Sequence, residues 1–142
     1  MTQDTGAASA AAHSGAPDDV VTIKLPAAGA YLSVLRTATA GLAARLDFTL
    51  DEIEDLRIAV DEACAMLLTQ AVPGADLECQ FALGADSMRI SVSVLTLDGL
   101  EPSRDTFAWT VLSALAGEVD SLAGVDNRVT IALLKRRSGT GQ

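Results

Sequence analysis

The chain has 142 residues and a formal net charge of −9, length enough for one domain with a real core and too little for two. Its 10 Lys and Arg stand against 19 Asp and Glu, which excludes sequence-independent binding to a nucleic-acid backbone, where affinity comes from cations neutralising phosphates. No apolar run reaches the roughly 18 residues of a membrane span, so a basic protein is the expected partner and neither nucleic acid nor membrane is.

Residues 1–19 have no basic start and no continuous hydrophobic block. They read as a disordered leader and not as a signal peptide. The domain proper is expected over 20–137, with a polar tail at 138–142. Its first element is a half-buried strand, because Val21, Ile23 and Leu25 alternate with more polar neighbours until Pro26. From Ala28 to Leu46 the residues Leu32, Leu35, Thr39, Leu42 and Leu46 recur at helical spacing, with Arg36 and Arg45 on other faces.

A second helix announces its start. Thr49 and Glu52 have the spacing of a capping box, Phe48 and Ile53 that of a hydrophobic staple, and Asp51, Glu52, Glu54 and Asp55 load the first turns with the charge that the helix dipole favours. The helix runs through Leu56, Val60, Cys64, Leu67 and Leu68 to Pro73-Gly74. Next, Leu77, Cys79, Phe81 and Leu83 alternate with polar or small residues, Gly84 to Ser87 turns the chain, and Met88, Ile90, Val92 and Val94 alternate again, a β-hairpin with one buried face. Thr96 to Arg104 reads as loop. Asp105 can cap a third helix with the apolar stripe Phe107, Val111, Leu112, Leu115 and Val119, weakened near its end by Gly117. After a turn at Gly124 to Asn127, Val129 to Leu134 is the last strand, and Lys135-Arg136-Arg137 reads as a solvated edge.

The order β-α-α-β-β-α-β gives an α/β (α+β) chain whose sheet carries helices on one face, a two-layer sandwich. Cys64 and Cys79 lie in apolar-patterned segments without metal-ligand spacing, so they read as reduced core residues of a cytoplasmic protein.

The phrase Leu46-Asp47-Phe48-Thr49-Leu50-Asp51-Glu52, followed by Leu56-Arg57-Ile58-Ala59-Val60-Asp61-Glu62-Ala63-Cys64 and by the ending Val129 to Lys135, resembles the actinobacterial branch of the bacterial anti-sigma factors with a histidine-kinase-like (GHKL, Bergerat-like) ATPase fold. The resemblance extends from about Val21 to Arg137. It implies three nucleotide elements, and each departs from the family pattern here.

Where the family helix carries Glu-x-x-x-Asn, this chain has Glu62 and Met66. The family Glu assists proton removal from an attacking serine and the Asn ligates Mg²⁺, so Glu62 is implied to be a relic of the base. Met66 offers a soft thioether to a hard cation that wants oxygen, and it reads more simply as a gap-filling core side chain. The adenine motif Asp-x-Gly-x-Gly falls on Leu97-Asp98-Gly99-Leu100-Glu101; no register recovers both its Asp and its glycines, and Asp98-Gly99 reads more simply as a turn. The phosphate-binding Gly-x-Gly falls on Asp105-Thr106-Phe107-Ala108, which has no glycine. Thr130, in the last strand, matches a retained polar position.

The resemblance further implies that Arg36 contacts both the sigma factor and the antagonist that displaces it, against the bland reading of a solvated helix arginine. The expected function is therefore an anti-sigma factor that sequesters an alternative sigma factor of the stress or development class. Release would come from an anti-anti-sigma protein, with no cofactor and no phosphoryl transfer. The alternatives are an active serine/threonine kinase using MgATP and a small-ligand sensor on the same fold. A homodimer is expected, with Val20 to Leu25 as an unprotected edge strand.

Overall fold

The computed structural model describes residues 19–138; the expected leader, except for Asp19, and most of the expected tail lie outside them. Strand β1 spans Asp19–Pro26, helix α1 Leu32–Arg45, helix α2 Leu50–Leu68, β2 Asp76–Leu83, β3 Ser87–Leu95, helix α3 Phe107–Ala116, β4 Glu118–Ala123 and β5 Arg128–Arg136. The strands form one antiparallel sheet in the order β1-β2-β3-β5-β4. β1 is an edge strand, and β4 is the other edge.

Alternation in sequence becomes one-sided burial. Leu77, Cys79, Phe81 and Leu83 of β2, Met88, Ile90, Val92 and Val94 of β3, and Val129, Ile131 and Leu133 of β5 all point to the core, while Gln80, Arg89 and Thr130 take the other face. α2 packs on β3 and β5 and lies between α1 and α3. It contributes Leu56, Ala59, Val60, Ala63, Cys64 and Leu67 to the same core, joined by Leu35, Thr39 and Ala43 of α1. Burial pushes the Cys64 thiol up to about 12, helped by the charge of Asp61, and pushes Cys79 upward as well. Both are protonated and inert at neutral pH.

The first helix region differs slightly from expectation: a single 3₁₀ turn at Gly29–Tyr31 precedes α1, which begins at Leu32. α2 starts as its sequence requires. The Thr49 side chain accepts from the Glu52 amide at 3.1 Å and Glu52 Oε1 accepts from the Thr49 amide at 2.8 Å.

The region around α3 requires corrections. The cap is Thr106, whose side chain accepts from the Trp109 amide at 3.1 Å, and not Asp105 one residue earlier. The buried stripe is Trp109, Leu112 and Ala116, with Phe107 83% exposed. Val119 is not in the helix. Gly117, at φ 91°, is in the left-handed region, where a Cβ would also come within 3.2 Å of the Leu134 carbonyl oxygen, and the chain reverses there into β4. The order is thus β-α-α-β-β-α-β-β. β4 escapes a pattern search because its buried position is a serine, Ser121.

The basic run is a solvated edge only at Arg136, which is exposed and pairs with Glu118. Lys135 Nζ donates to the Leu115 carbonyl at 3.0 Å, where a cation suits the end of α3, and Arg137 Nη1 donates to the Leu46 carbonyl at 3.3 Å.

Candidate functional site

After α2 ends, the chain is stitched to the segment that leaves β3. Leu97 N donates to Gln70 O, Val72 N donates to Leu95 O, and Ala71 bridges Thr96. These bonds fix the loop 97–106 against the C-terminal half of α2 and leave between them a cavity of about 500 Å³. α2 contributes Glu62, Ala65, Met66, Thr69 and Gln70; the loop contributes Asp98, Leu100, Glu101, Pro102 and Ser103; Thr106 and Ala108 close it from the start of α3.

Glu62, Met66 and Asp98 therefore share one site. Glu62 and Met66 are half-buried one helical turn apart, and Met66 also packs against the core. Asp98 is engaged locally: Oδ1 accepts from the Leu100 amide at 3.0 Å, an Asx turn, and from Gln70 Nε2 at 3.4 Å. Gly99 stands beside the cavity, and its glycine character has a structural cause. Its φ is +72°, and a Cβ there would meet Asn127 Oδ1 at 2.6 Å. Its amide donates to Thr96 Oγ1 at 2.8 Å, while that hydroxyl donates to the Asn127 carbonyl at 2.7 Å.

Thr130 is not brought to this site. It lies on the sheet face away from the helices, with its hydroxyl 2.7 Å from that of Ser93. Arg36 is on the outer surface of the α1–α2 pair, where Nη1 contacts both carboxylate oxygens of Asp61 at 2.9 and 3.1 Å. Thus Arg36 already has an acidic partner within the chain, adjacent in sequence to Glu62.

Sequence reading missed the cluster that holds the loop down. Arg104 Nη2 donates to Asp120 Oδ1 at 2.9 Å and to Ser121 Oγ at 3.1 Å, and its guanidinium lies 4.9 Å from the Trp109 ring centroid. The Ser121 hydroxyl in turn donates to Glu101 Oε1 at 2.6 Å. The hydrogen bond from Arg104 leads the causes that hold the Asp120 carboxyl below its ordinary value, with the Ser121 amide next. The single Trp of a chain poor in aromatics was the available signal.

No family model matches the chain. Among curated proteins it is 35% identical over 92 residues to an anti-sigma-F factor RsbW of Mycobacterium tuberculosis, covering 63% of this chain and 54% of that protein. Over these stretches the chain is similar to RsbW proteins. It is 33% identical over 78 residues to the serine-protein kinase RsbW of Bacillus subtilis, covering 53% of this chain and 49% of the kinase, and 40% identical over 60 residues to that of Bacillus pumilus, covering 42% and 37%. It thus spans about half the length, or less, of these relatives. A crystal structure of the RsbU and RsbW domains of a Mycobacterium tuberculosis protein matches the fold with a TM-score of 0.65 at 19% identity, over 84% of this chain and 33% of that one. The α+β sandwich is a GHKL-type fold.

Proposed function

We propose that this protein is an anti-sigma factor that works as a binding module, sequestering an alternative sigma factor and releasing it to an anti-anti-sigma protein without phosphorylating that antagonist. The similarity to RsbW proteins, one of them named an anti-sigma-F factor, supports the sequestering role. The observation that carries the absence of phosphoryl transfer is the lining of the cavity: Glu62, Asp98 and Glu101 are acidic and no Lys, Arg or His is among its residues. A triphosphate would face three carboxylates and no basic side chain in the cavity lining, and Met66 would present sulfur where the resemblance places the Mg²⁺ ligand. These residues do not fit MgATP.

Arg36 is the proposed anchor for sigma. Its place on the exposed side of the α1–α2 pair, 37% exposed, leaves its fork within reach of a partner carboxylate. The protein is further proposed to be cytoplasmic and to form a homodimer through the sheet and first-helix side, with the β1 edge available for pairing; no helix among the described residues is long and apolar enough to cross a membrane.

The test is a pull-down from native cytoplasm followed by surface plasmon resonance with the recovered sigma factor, together with calorimetric titration of MgATP. Sigma capture without MgATP binding is expected, and Arg36→Glu should weaken sigma binding while circular dichroism stays that of the wild type. Micromolar MgATP affinity, or phosphate transfer to a serine of the antagonist, would return the protein to the kinase reading.

A further inference from the structure

The cavity between α2 and the loop 97–106 has a volume, about 500 Å³, that lies in the range of small-molecule sites. Ala65, Met66, Leu100, Pro102 and Ala108 give it apolar walls. Met66 can rearrange around differently shaped guests because its side chain is unbranched and polarisable.

Its three carboxylates are not equivalent. Asp98 is bound by the Leu100 amide and Gln70, and Glu101 by the Ser121 hydroxyl with Arg104 3.8 Å away. Asp61, the neighbour of Glu62 in sequence, is matched by Arg36. Among the described residues Glu62 alone of this group makes no hydrogen bond and no ion pair. A half-buried carboxylate without a counter-ion, at the wall of an apolar cavity that lacks any basic lining residue, is complementary to a cation with an apolar body.

We infer that this cavity binds a small organic monocation, an amine or guanidinium carrying an aromatic or aliphatic group, with Glu62 as its counter-ion. The inference rests on the reading that the cavity does not hold MgATP.

The probe is phenethylammonium, titrated into the full chain with its methionine methyl groups labelled with carbon-13. The chain has only three methionines; Met66 lines the cavity and Met88 is fully buried in the core, an internal control. Saturable movement of the Met66 signal with a still Met88 signal is expected. Phenylacetate, with the same body and opposite charge, should not move it, and uncharged 2-phenylethanol should bind roughly fivefold more weakly, the ratio an exposed ion pair supports. Glu62→Gln should show the same loss toward phenethylammonium, and the wild-type comparison among the three probes stands if that variant folds poorly. An unmoved Met66 signal, or phenylacetate binding as well as the amine, overturns the inference. A parallel MgATP titration separates the two readings. If neither probe binds, only the cation site is lost; if MgATP binds and the amine does not, the proposed function fails with it.

Discussion

At the N-terminus of α2 the polar groups are matched one by one. Thr49 and Glu52 exchange their hydrogen bonds, and the second oxygen of Glu52 accepts from the Ser138 amide at 2.8 Å, so that the segment just after β5 is tied to the first turn of the helix. At the other end of the same helix Glu62 and Met66 face a cavity, and Glu62 has no partner among the described residues. One end is over-determined and the other is left open. A carboxylate stabilises the fold where amides converge on it, and it becomes available to a ligand where the fold leaves it unmatched.

The sharpest way to break this contrast is to remove Glu52. Burial by itself would raise its pKa, but hydrogen bonds from the Ser138 side chain and amide and from Thr49 outweigh it and bring the group from 4.5 to about 2. The ionised carboxylate therefore contributes stability that depends on pH. Because the folded value is the lower one, the contribution is complete above pH 4.5 and is lost as pH falls toward 2. Glu52→Ala should cost about 2–3 kcal/mol in urea unfolding at neutral pH. Glu52→Gln should lose stability less steeply than the wild type between pH 4.5 and 2. An equally steep decline in both would assign acid sensitivity to other carboxylates.

Thr49→Ala tests the same end with a smaller effect, about 1 kcal/mol. Its cost should shrink in the Glu52→Ala background, because the two side chains act as one reciprocal unit. Additive costs would mean that the two bonds are independent.

The N-terminal end was also the more legible in sequence. Thr49, Glu52, Phe48 and Ile53 declare a helix start through local spacing alone, and every bond of the box lies within four residues. The tie from Glu52 to Ser138 spans 86 residues and has no local signature. The hairpin is readable because alternation survives in β2 and β3, whereas β4 is hidden by Ser121 and by an apolar spacing that runs on past Gly117 to Val119. For the site, the spacing of Glu62 and Met66 placed them together and the turn character of Asp98-Gly99 was visible. What could not be seen was Arg104 reaching Asp120 and Ser121, since long-range polar clusters depend on the tertiary path. Thr130 could be placed on a strand, but which face it took depended on register.

Arg36 and Asp61 lie between the two ends and should behave as a surface pair. Their side chains are 37% and 35% exposed, and a single guanidinium nitrogen serves both carboxylate oxygens. A double-mutant cycle of Arg36→Ala and Asp61→Ala should give a coupling of about 0.5 kcal/mol in the free protein, diminishing at high salt as screening grows. A coupling above about 2 kcal/mol would make Arg36 a structural clamp between α1 and α2, and any loss of sigma binding in its variants would then need to be read against damage to that clamp.

The smallest expected effect is at the open end, where Met66→Asn should bring no gain in MgATP affinity. The substitution supplies an amide oxygen at the position the resemblance assigns to the metal ligand, yet Glu62, Asp98 and Glu101 still surround the cavity without a basic residue. Leu97 and Glu101 still occupy the adenine loop, and the start of α3 still offers Asp105 and Thr106 in place of glycines. One oxygen ligand cannot offset the repulsion of a triphosphate by several carboxylates in a partly desolvated cavity. Since Met66 is half-buried against the core, the variant should lose at most about 1 kcal/mol of stability and remain folded for titration. Calorimetry should give the same null heat for variant and wild type. Micromolar binding in the variant alone would mean that the rest of the pocket had kept its nucleotide geometry and that a single thioether had closed it.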